Sequence, residues 1–66
     1  MTSDPDIYRA AKLVMDQRGE EAATFAGDRA DQLLEDGDID GALVWRRILE
    51  AIEELLRGPL ADEAVN

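Results

Sequence analysis

Residues 33–45 read LLEDGDIDGALVW, and the fold turns on what the aspartates in this stretch are for. As chemistry, Asp36, Asp38, Asp40 and Gly41 spell D-x-D-x-D-G, the opening of an EF-hand calcium loop. As architecture, Gly37 is a helix stop and Asp38 a helix start. The twelfth position counted from Asp36, where an EF-hand needs a bidentate glutamate, is Arg47, and Glu50 comes three residues too late. Leu43 does match the apolar eighth position. The apolar stripe beginning at Ala42 or Val44 nevertheless implies that the chain after Gly41 is already helical, so a helix junction is the preferred reading. No metal is expected; Asp36, Asp38 and Asp40 are the candidate ligands if calcium does bind.

Working outward, the segment before the junction begins with Glu20 and Glu21, suited to the positive end of a helix dipole, and carries Ala22, Ala26, Ala30 and Leu33 in one stripe. Phe25 and Leu34 widen that face. Gly27 in mid-helix costs about 1 kcal/mol against alanine and is tolerable if a bulky ring packs over it. The segment after the junction is the most periodic: Val44, Trp45, Ile48, Ala51, Ile52 and Leu55 form a stripe, broadened by Leu49 and Leu56. Arg57 suits its last turn, and Gly58-Pro59 forbids continuation.

Towards the N-terminus, Ser3 and Asp6 form an acidic variant of a capping box and Pro5 suits the first helical position. Ile7, Ala10, Ala11 and Val14 recur at helical spacing with Tyr8 and Met15 beside them, and Gly19 supplies a left-handed stop. No segment alternates in the manner of a strand. The expectation is an all-α, compact three-helix domain with short Gly-containing turns: one domain over residues 1–66, helices at about 4–18, 20–36 and 39–57, and a tail at 59–66. Connections this short place consecutive helices antiparallel or sharply crossed.

Composition narrows the chemistry. Sixty-six residues hold one thin core, which usually leans on disulfides, metal, oligomerisation or idealised packing. Cysteine and histidine are both absent, which removes disulfides, thiolate sites, the commonest zinc ligand and the commonest general base. Sixteen acids against 7 bases, a net charge of −9, argue against direct binding to nucleic acid or to anionic membranes and leave a basic protein partner open. No apolar run approaches the roughly 20 residues of a membrane span, and MTSDPD lacks a signal-peptide pattern, so a cytoplasmic location is expected. A hydrophobic fraction of 45% suits a folded chain.

Two resemblances add to this. GDIDGALVWRRILEAI resembles the second helix of a tetratricopeptide repeat, with Ala42 as the small residue and Trp45 as the aromatic, which implies that both sit against the preceding helix near Ala30. One repeat cannot bury its own faces. Over nearly its full length, with RADQLLEDGD and W-x-x-I-L-x-A-I as the most specific parts, the chain is similar to short helical bacterial proteins of unknown function. No activity comes with that likeness.

The functional expectation is a small acidic, non-enzymatic interaction protein acting through helix–helix contacts, with no cofactor. Leu49 and Leu56 lie to one side of the Trp45, Ile48, Ile52 and Leu55 stripe, so a homodimer is expected to cover them, with Leu49, Leu56, Trp45 and Ile52 as interaction residues. For Trp45 itself the favoured role is the largest core residue. Arg29 and Asp31 can link helices or decorate the surface. The pairs Glu53-Glu54 and Glu20-Glu21 read as solvated faces rather than acid-base groups. A second reading is an acidic nucleic-acid mimic that occupies the basic groove of a DNA- or RNA-binding protein, although Arg9, Arg18, Arg29, Arg46, Arg47 and Arg57 interrupt the acids along every helix. A calcium-responsive switch is third.

Overall fold

Pro5 opens the first helix, α1 (Pro5–Arg18), in the computed structural model, which describes residues 5–57. The Ser3 cap, the Gly58-Pro59 stop and the tail at 59–66 lie outside the described residues. Two further helices follow, α2 (Ala22–Glu35) and α3 (Ile39–Arg57), so the fold is an all-α three-helix domain. Asp6 stands in the first turn of α1, and Arg18 and Arg57 in the last turns of α1 and α3, each on the side the helix dipole favours.

The two junctions differ. Gly19 adopts φ +60°, ending α1 as a left-handed residue, but α2 does not begin at once. Gly19–Glu21 form a single 3-10 turn in which the Ala22 amide donates to the Gly19 carbonyl. The helix therefore starts two residues later than the glutamates suggest, because the chain must complete one tighter turn to change direction after Gly19. At the second junction Gly37 takes φ +85°. The Gly37 amide donates to the Leu34 carbonyl at 3.0 Å and the Asp38 amide to the Leu33 carbonyl at 2.8 Å. These two bonds define a Schellman motif, which satisfies the last carbonyls of α2. Asp38 then caps α3: its side-chain Oδ1 accepts from the Gly41 amide at 2.9 Å and its carbonyl accepts from the Ala42 amide at 3.0 Å. One residue thus closes one helix and opens the next.

This corner folds α3 back along α2. Gly27 faces Leu49 and Arg29 faces Trp45, a descending register that marks the pair as antiparallel. α2 and α3 share the most extensive contact, and α1 lies mainly on α3. Among the described residues nine apolar ones are buried, and six of them are alanines: Ala11, Ala22, Ala26, Ala30, Ala42 and Ala51. Val14, Ile48 and Ile52 complete the set, with Ile52 the largest side chain fully enclosed. Alanine faces let helix axes approach to the short end of the usual 8–10 Å, so little interior volume remains for large groups.

That closeness corrects three expectations. Trp45 is half-buried and packs on the rim of the core instead of forming its centre. An indole has no room between alanine-faced helices. Val44 and Leu33 are likewise less enclosed than their stripes imply, Val44 being exposed and Leu33 half-buried. Gly27 has no ring over it; a Cβ built there would meet Leu49 Cδ2 at 3.9 Å, so the glycine faces an aliphatic side chain at ordinary contact distance.

Candidate interaction surface

Phe25 and Arg29 are one turn apart on α2, and both turn towards Trp45 on α3. The Phe25 and Trp45 rings meet edge to face, centroids 5.7 Å apart and planes at 81°. Arg18, at the end of α1, lays its guanidinium 4.0 Å from the Phe25 centroid, and Arg29 lies 5.8 Å from that of Trp45. The result is a cation, ring, ring, cation series that ties all three helices together. An edge-to-face pair adds about 0.5–1.5 kcal/mol beyond its buried area, and an exposed cation–π contact about 0.5–1 kcal/mol. Arg29 also donates from Nη1 to Gln32 Oε1 at 3.3 Å, so it turns to Gln32 and Trp45 in place of the Asp31 link weighed from sequence. The signal for this series was present as Phe25 and Arg29 at i, i+4, but sequence alone does not say that Trp45, the one aromatic on α3, lies opposite them.

The acidic corner is built from capping groups. Asp38 spends Oδ1 on the Gly41 amide, Asp36 is the C-cap of α2 with its amide bonded to the Gln32 carbonyl at 3.1 Å, and Asp40 stands in the first turn of α3. Residues 39–41 are helical where an EF-hand would need an open loop. Among the described residues no group of three or more His, Cys, Asp or Glu is placed to hold a metal ion.

The four interaction residues drawn from α3 separate once placed. Leu56 is 58% exposed. Leu49 is half-buried and packs on the core beside Gly27, and Trp45 belongs to the ring series. Ile52 is 0% exposed and cannot meet a partner. It points towards the centre because it follows Ile48 and Ala51 on the inner face of α3, which both other helices cover. The apolar groups left outside lie elsewhere: Leu34 at the end of α2, Ile39 (53%) and Leu43 (55%) one turn apart on α3, Val44, and Leu13 on α1. Ile39 and Leu43 share one outer face of the helix. Further along α3 a shallow groove runs between α2 and α3, with Gly27, Ala30 and Leu49 as its least exposed lining and Asp31, Arg46, Glu50 and Glu53 along its charged edge.

Of the paired acids, Glu54 has a defined contact: Tyr8 Oη donates to Glu54 Oε1, joining α1 to the C-terminal half of α3. That hydrogen bond, then burial, then the negative charge of Glu54 raise the phenol above its usual value of 10.0. Glu53 is exposed, and Glu20 and Glu21 are exposed in the 3-10 turn.

No helix among the described residues is long and apolar enough to cross a membrane. No family model, curated relative or solved structure matches the chain.

Proposed function

We propose that this is a non-enzymatic, cytoplasmic interaction protein that works as a homodimer through helix–helix contacts. The observation that supports it is a mismatch between inside and outside. Among the described residues Ile52 is the only large side chain wholly enclosed, whereas Leu13, Leu34, Ile39, Leu43, Val44 and Leu56 are about half exposed or more. Single exposed leucines are ordinary on a protein surface. Four of these six, however, fall within residues 34–44, around one corner of the fold, and clustered apolar exposure marks interaction sites. A core built mainly of alanine also gives a short chain little reserve, and a second subunit is one of the standard remedies. Sedimentation equilibrium across the micromolar range tests the reading. A dimer mass and a melting temperature that climbs with protein concentration are expected. A monomer throughout that range refutes the homodimer.

A further inference from the structure

We infer that the two copies pack on one another along the groove between α2 and α3, about a two-fold axis parallel to the helices, so that Asp31 of each meets the partner's Arg46 and Leu34 meets the partner's Leu43. This rests on the homodimer reading and specifies its surface. Asp31 on α2 and Arg46 on α3 line the same groove from opposite walls. Both are exposed, and neither belongs to an ion pair among the described residues. Between them lie Gly27 and Ala30, small enough for another helix to come close. The described lining comes from α2 and α3 alone, so α1 does not cover this side of the pair.

Each wall runs on into exposed apolar groups at the corner. On α2, Gly27 and Asp31 are followed at helical spacing by Leu34. On α3, Glu53, Glu50 and Arg46 are followed, back towards the corner, by Leu43 and Ile39 at the same spacing. The approach of Leu49 to Gly27 fixes the antiparallel register, and continuing it past Asp31 and Arg46 brings Leu34 level with Leu43. Asp40 stands about 100° round α3 from Ile39, off this side.

A two-fold axis along the groove sets α2 of one copy against α3 of the other at the same level. Whatever lies across the groove within one copy then lies across the interface between two, which forms the pair of Asp31 with Arg46 twice and closes the corner leucines over one another. Glu50 and Glu53 fall level with the stretch of the partner's α2 from Ala22 to Gly27, which carries no charge. An axis across the helices would carry the apolar corner of each copy to the opposite end of the other, where Glu50 and Glu53 line the wall, and so set leucine against carboxylate.

Charge exchange tests the pairing. Asp31→Arg and Arg46→Asp should each weaken self-association by about tenfold or more, since each sets like charges opposite one another twice over. The two substitutions in one chain should bring the dimer back, as should an equimolar mixture of the single variants. Net charge gives an internal control. It moves from −9 to −7 in the first variant and to −11 in the second, two units per exchange, and returns to −9 in the doubly exchanged chain. General repulsion alone would therefore make Asp31→Arg a better dimer than the parent. Leu34→Gln should weaken association by a similar factor without touching either charge, and circular dichroism of each variant checks that the helices persist. If the parent dimerises but the single variants do so equally well, or if the doubly exchanged chain is folded yet no stronger than the single variants, this surface is wrong and the homodimer stands. A monomeric parent removes both.

Discussion

The Asp38 carboxylate, where it stands, occupies the space that a side chain in place of Gly41 would need. A Cβ built on Gly41 would lie 2.6 Å from Asp38 Oδ2, inside any allowed contact, while the Gly41 amide donates to Oδ1 of the same group. The cap and the glycine are therefore one device.

A double-mutant cycle should expose that coupling. Asp38→Ala removes the cap and should cost about 1 kcal/mol. Gly41→Ala gains about 1 kcal/mol of helix propensity but displaces the carboxylate, so in the parent chain its net effect should be close to zero. In the Asp38→Ala background the same substitution should stabilise by the full amount. Additive effects by denaturant titration would show that the cap bond is not formed in solution.

Gly27→Ala carries no such penalty. The new methyl group meets Leu49 Cδ2 at 3.9 Å, and the helix gains about 1 kcal/mol of propensity. The midpoint of urea unfolding should rise; a fall would mean that α2 and α3 approach more closely than the Leu49 contact implies.

Truncation at Ile52 and Trp45 should rank by enclosure and not by size. Ile52→Ala opens a cavity in a fully buried position and should cost about 2–5 kcal/mol, enough to unfold much of a domain this small. Trp45→Ala removes a half-buried ring and its contacts with Phe25 and Arg29, for which about 2 kcal/mol is expected. Finding the tryptophan variant the less stable of the two would return Trp45 to the centre of the core.

Tyr8 is the only tyrosine, so phenolate absorbance reports it directly. Its apparent pKa in the folded protein should exceed 10.0 and move back towards that value in Glu54→Ala. Because the folded value is the higher one, the stabilisation is complete below the unfolded value near 10 and is lost as pH rises through the folded value. Tyr8→Phe should show no such alkaline loss, and at neutral pH it should already lack the stabilisation that the parent gives up only at alkaline pH.

Calcium at millimolar concentration should leave the melting temperature where it is. Binding at 100 times the dissociation constant would add about 2.7 kcal/mol, a rise of many degrees for so short a chain. Such a rise would show that the Asp38 carboxylate leaves its capping bond to coordinate the ion together with Asp36 and Asp40.

The helices were legible because their ends carry residue-specific chemistry. Gly19 and Gly37 occupy the left-handed positions that favour glycine, and Asp38 caps as its side chain suggests. The interior of α3 was less legible, because a one-dimensional stripe says which face is apolar but not how closely a neighbour approaches. With alanines on the facing helices, the gap closed before Trp45 could enter, while the space at Gly27 took in Leu49, which sequence alone had placed outside. The exposure of Ile39 and Leu43 was not legible for the converse reason: they sit at the start of α3 amid capping residues, where Leu43 also matches the apolar eighth position of a calcium loop. The Tyr8 link to Glu54 spans 46 positions and leaves no local trace in the sequence.

The predominance of alanine among the buried residues reaches into thermodynamics. An alanine brings a single methyl group out of water, so unfolding exposes little apolar surface per residue, and the heat-capacity increment scales with that surface. It should fall below the usual 12–15 cal/mol/K per residue, giving a stability curve that is low but broad. Such a molecule loses its structure gradually on heating and is correspondingly slow to denature in the cold.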